Sequence, residues 1–110
     1  MITYLEIKKN EEINTYIEKG NELLGIMGFT DHSGIHAAKV SETAAKILLE
    51  LGYSEREAEL AKIAGHIHDI GNAINRVDHA QTGAVMAFQI LSKIGMEPEE
   101  IATIVSAIGN

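Results

Sequence analysis

Apolar residues in this chain recur every three to four positions, in runs that end at glycine, and nowhere alternate with polar ones over the length of a strand. That pattern confines the chain to helices packed on helices. Asn10, followed by Glu11 and Glu12, reads as an N-cap with acids in the first turn. Ile13, Tyr16, Ile17, Leu23, Leu24 and Met27 follow at helical spacing, with Gly28 suited to the C-cap and Gly20 and Gly25 expected to weaken or bend the helix. A second helix is predicted from Thr30 or Asp31 to Leu51, with Ile35, Val40, Ala44, Ile47, Leu48 and Leu51 on its buried side and Gly52 at its end. Ser54 with Glu57 predicts a capping box opening a third helix, which continues through Ala58, Ala61, Ala64, Ile67 and His68 toward Gly71. Residues 72–77 have no clear period and read as a connector or a single turn. Asp78 is expected to cap a fourth helix running to about Ile94, with Ala84, Val85, Phe88 and Leu91 inward and Gly95 at its end. Pro98 suits the first turn of a fifth, with Glu97, Glu99 and Glu100 at its positive end and Ile101, Ile104, Val105 and Ile108 inward. Residues 2–7 read as a turn or arm. The expected fold is all-α, a compact bundle of about five helices.

A length of 110 residues with 45% hydrophobic content fits one domain. Without cysteine the chain has no disulfide, thiolate nucleophile or Cys-based metal site. Sixteen acidic residues against nine basic ones give a net charge of −7, which repels a nucleic-acid backbone and leaves no polybasic patch for a membrane. Aromatic content of 5% is too low for stacking platforms. No run approaches the roughly 18–20 apolar residues of a membrane span, and no secretory leader is evident. The expectation is a cytoplasmic protein with no nucleic-acid or membrane partner.

The chemistry-bearing residues cluster at His66-Ile67-His68-Asp69-Ile70-Gly71, near the end of an alanine- and isoleucine-rich helix. A carboxylate beside an imidazole in an apolar setting is costly unless it is paired or metal-bound. Neutral imidazole with carboxylate suits a divalent ion such as Mn, Fe or Zn. Adjacent residues of a regular helix point about 100° apart, so both reach one point only where the helix end and Gly71 relax that geometry. The bland alternative is an ion pair at a helix C-terminus with a hydrogen-bonded core histidine. His36, flanked by Ile35 and Ala37-Ala38 in the second helix, can project inward toward the third.

His36, then His68-Asp69 followed by Ile70-Gly71, then His79 at a helix start, together resemble the HD superfamily of metal-dependent phosphohydrolases. The resemblance runs from about Asp31 to the C-terminus, which divides the expected single domain into an N-terminal arm and helix (1–30) and an HD-like core (31–110). It implies that His36, His68 and Asp69 ligate one or two divalent ions (Mn, Fe, Zn or Mg). It also implies that Asp69 orients the attacking water, and that His79 either ligates a second ion or contacts the substrate phosphate. An ordinary first-turn histidine is the other reading of His79. His32 lies one turn before His36 but matches no family ligand and reads as a surface residue; His66 must point elsewhere, beside the site or partly exposed. Asn72 stands where many relatives carry Lys, and Arg76 is the nearby cation that compensates. The family's later Asp has no counterpart after Asp78, so the chain reads as C-terminally incomplete. The implied activity is hydrolysis of a nucleotide or other small phosphate ester, with Asp69, His79 and Arg76 catalytic; the alternative is an inert HD-fold module for ligand sensing or protein contact. Apolar surface left open by a missing helix implies a homo-oligomer.

Overall fold

The computed structural model describes the backbone of residues 1–27, 34–75 and 77–109, and the side chains of the same residues except 34–37. Among these it contains α1 (Tyr4–Lys8), α2 (Glu11–Ile26), α3 (Gly34–Glu50), α4 (Glu55–Ile67), a 3₁₀ turn (Ile70–Ala73), α5 (His79–Lys93) and α6 (Pro98–Gly109). The described residues form no strand, and the all-α expectation holds. The described residues form one α-helix more than expected. The segment read as an arm is helical because Thr3 and Glu6 make a capping box, the Thr3 side chain accepting from Glu6 N and the Glu6 carboxylate from Thr3 N.

The other helix starts and stops follow from local chemistry. Asn10 Oδ1 accepts from Ile13 N at 2.9 Å. Ser54 Oγ accepts from Glu57 N at 3.1 Å, but the Glu57 carboxylate takes the Ser54 hydroxyl, 3.0 Å away, so only half of a capping box forms. Gly52 and Gly95 both have φ +89°, a left-handed turn that allows Tyr53 N–H to reach Leu48 O and Met96 N–H to reach Leu91 O. Asp78 does precede α5, but with φ 57° and no side-chain capping bond: it redirects the chain rather than capping it. The predicted cap Gly28 and the predicted start at Thr30 or Asp31 lie outside the described residues.

The core joins α1 and α2 to α4, the 3₁₀ turn, α5 and α6 through Ile7, Ile13, Ile63, Ile70, Leu91 and Ile104. α3 lies along α4, α6 along α5, and the 3₁₀ turn is held between α2 and α5. Two predicted faces are corrected. Among the described side chains of α3 the buried ones are Ser41 and Ala45, while Ile47 and, just after the helix, Leu51 are exposed; the predicted core residue Ile35 lies outside them. In α5 they are Gly83, Ala87, Ile90 and Leu91, while Val85 and Phe88 face outward. In both cases a small residue lets two backbones approach. A methyl on Gly65 of α4 would lie 2.9 Å from Ser41 Cα, and Ser41 Oγ donates to Lys62 O at 2.8 Å. α2 is continuous through Gly20, which is where Asn72 of the 3₁₀ turn packs.

Arg56 ties the N-terminus, α4 and α6 together. Its Nε and Nη2 donate to the two oxygens of Glu100 at 2.8 and 2.6 Å, and its Nη1 donates to Glu59 at 2.7 Å and to Ile2 O at 2.9 Å. Arg56 holds the Glu100 carboxyl below its ordinary value. Burial pushes Glu59 up, but the Tyr4 N–H and Arg56 outweigh it and leave that carboxyl low as well. Groups with depressed folded-state pKa stabilise the fold above their unfolded value, near 4.5, and lose that contribution as pH falls through the folded value. Arg56→Met should therefore cost about 1–2 kcal/mol at neutral pH, the side chains being only partly buried. Thermal melts from neutral to strongly acidic pH should show the gap between wild type and Arg56→Met closing below about pH 4.5; a constant gap would contradict this account.

Candidate functional site

The site is built on the end of α4. Ala64, Gly65, His66 and Ile67 are buried, so the last turn of the helix runs inside the bundle, where a free carbonyl is costly. His68, the C-cap residue, turns its ring back onto that turn, with Nδ1 2.6 Å from Gly65 O. A carbonyl oxygen only accepts, so Nδ1 carries a proton, and Nε2 stands 3.2 Å from Asp69 Oδ2, to which it donates when the ring is doubly protonated. The hydrogen bond to Asp69 raises the His68 pKa most, with the Gly65 carbonyl adding to it against the effect of burial. Asp69 leaves the helix with φ −99° and ψ 11°, and the 3₁₀ turn begins at the next residue.

α5 supplies the other side. Its first residue, His79, has Nε2 3.2 Å from Asp69 Oδ1, so one imidazole stands at each oxygen of the carboxylate. Two glycines make this possible. A methyl on Gly71 would overlap the His79 carbonyl oxygen and sit 2.7 Å from Gly83 N, and one on Gly83 would be 3.2 Å from Gly71 N. The left-handed Asp78 then swings the chain so that α5 starts with His79 against the 3₁₀ turn.

The structure thus brings together His68, Asp69 and His79 of the residues singled out from sequence. His36 lies in the first turn of α3, and the antiparallel pairing of α3 with α4 sets that turn at the same end as His68; its side chain is outside the described residues. Arg76 and His32 are outside them too. His66 is not partly exposed: it is buried edge-on against Tyr4, with ring centroids 6.1 Å apart, and burial lowers its pKa, helped by the charge of Lys8. The role of the Gly65 carbonyl and the Gly71–Gly83 contact were not foreseen. A glycine at position i−3 from the histidine and two glycines twelve residues apart are too common to signal a site.

Among the described residues no three His, Asp or Glu side chains surround a common point as ligands of an ion do; here the imidazoles hold the carboxylate oxygens directly. The donor chemistry nevertheless fits a divalent ion. A histidine whose Nδ1–H is committed to a backbone carbonyl presents Nε2 as a ligand, the usual support of a metal-bound imidazole. Two imidazoles and a carboxylate are a donor set for Mn, Fe or Zn.

Comparison with known proteins gives one family. The profile of the HD domain matches residues 34–108, which includes α3 with His36, the His68-Asp69 helix end and His79. An uncharacterised protein of Methanocaldococcus jannaschii, MJ1020, is 29% identical over 106 residues, an alignment covering 83% of this chain and 41% of the relative. The chain therefore spans about two fifths of the length of that relative. No solved structure matches. With the profile spanning most of its length and the His-Asp pair inside the match, this chain belongs to the HD domain family.

Proposed function

We propose that the chain works as a single HD-like domain and hydrolyses a nucleotide or other small phosphate ester with the help of one or two divalent ions. The observation that carries this reading is the Asp69 carboxylate held between His68 and His79, with the His68 ring fixed by Gly65. His36, His68 and Asp69 would hold the ion, either with His79 as a further ligand or with His79 turned to the phosphate. A divalent ion in such a place lowers the pKa of a bound water and offsets charge on phosphoryl oxygens.

The protein's own part is positional. Asp69 can hold the attacking water through the oxygen not engaged as a ligand. His79 Nε2 can donate to a phosphoryl oxygen, since the ring stands at the start of α5 rather than inside the core. Arg76 is the nearest cation in sequence for the same phosphate. The net charge of −7 works against capture of an anion at a distance, so selectivity for phosphate rests on these local groups.

The test is elemental analysis of the purified chain after loading with Mn, Fe, Zn or Mg, beside a His68→Ala/Asp69→Ala double variant. Wild type should retain one or two equivalents, the double variant none, and phosphate release from a panel of nucleotides and sugar phosphates should follow the metal. Wild type that retains no ion after loading would remove the enzyme reading and leave an inert HD-fold module.

A further inference from the structure

α3 has an apolar line whose C-terminal half is exposed. Val40, Ala44, Ile47 and Leu51, the last in the turn after the helix, recur at spacings of four, three and four, which keeps them along one side. α4 covers a different line, Ser41, Ala45 and Leu48, about 100° further round. Ile47 is 51% exposed and Leu51 69%, whereas Val40 and Ala44 are half-buried. The edge away from α4 reads Lys39, Thr43, Lys46 and Glu50, all exposed.

That edge is complementary to itself when reversed. When two such helices pack antiparallel along the apolar line, like edges meet in opposite order. Lys39 then stands opposite the partner's Glu50, and Glu50 opposite the partner's Lys39, so each opposite-charge contact is made twice. Parallel packing would instead press this charged edge against the edge that α4 already occupies. We propose that two copies of the chain form a twofold dimer through antiparallel α3 helices, with Ile47 of each copy packed against Ala44 of the other near the centre of the seam. One helix pair buries less than the roughly 1,200–2,000 Å² of a standard stable interface, so the dimer dissociates on dilution.

Sedimentation equilibrium across the micromolar range tests this. The apparent mass should rise with concentration from 11.9 kDa toward twice that value. Ile47→Glu should stay at the monomer mass with an unchanged melting temperature, because the side chain it replaces is half in solvent. Lys39→Glu and Glu50→Lys should each raise the dissociation constant about threefold to tenfold, the effect of two surface pairs. The double variant Lys39→Glu/Glu50→Lys should restore it. A monomer at every concentration, a dimer indifferent to Ile47→Glu, or a double swap that fails to restore association would each overturn the proposal.

Discussion

Gly71→Ala should be the most damaging single methyl that can be added to this protein. The added carbon would overlap the His79 carbonyl oxygen and lie 2.7 Å from Gly83 N, and the three atoms nearest to it all belong to backbone. A side chain can swing aside from such a contact, but a helix can only shift as a body. α5 would have to lift off the 3₁₀ turn, carrying His79 away from Asp69 and disturbing Ile90 and Leu91 in the core. Overpacking with side-chain relief costs about 1–3 kcal/mol, and without it the cost lies at or above that range. That is a large part of the roughly 5–15 kcal/mol that keeps a domain of this size folded. Chemical denaturation should show the midpoint falling sharply or the folded baseline lost. Gly25→Ala is the control, because nothing lies within 4 Å of the carbon it adds; it should be neutral or stabilising. If the two alanines behave alike, the close approach of α5 is not as described.

The second large effect is expected at Ile70. It is wholly buried in the 3₁₀ turn, directly after Asp69, and its Cγ2 would be 3.5 Å from a methyl on Gly83. Ile70→Ala leaves a cavity between the turn and α5 that two packed backbones cannot close, so a cost of about 2–5 kcal/mol is expected. For a chain this long that is a fall of roughly 10 °C or more in melting temperature. Ile70→Val should cost only about 0.5–1.5 kcal/mol. Equal melting temperatures for the alanine variant and wild type would show that the turn is not part of the core.

Where α2, α4 and α6 begin and where α3 and α5 end was legible in the sequence, because the signals are local: Asn10, Ser54, Pro98, Gly52 and Gly95 each act on neighbours within one turn. Which side of a helix faces inward was less so. Counting apolar residues put Ile47 and Leu51, then Val85 and Phe88, in the core. The fold buries Ser41 and Gly83 instead, because backbone proximity rewards small side chains and a hydrophobicity pattern does not register that. The grouping of His68 and Asp69 was readable because a helix end was expected there. The approach of His79 depends on Gly71 meeting Gly83, and the Arg56–Glu100 pair spans 44 positions; neither has a local signature.

The bond from His68 Nδ1 to Gly65 O has a thermodynamic consequence. Helices fray from their ends, and the carbonyl that fraying would hand to solvent is here kept by the ring that faces Asp69. Ring rotation and unwinding of the final turn of α4 are thus a single opening event. Slow amide exchange along that turn would report an imidazole in place, and a ligand that draws Nε2 toward itself would also lengthen the life of the helix behind it.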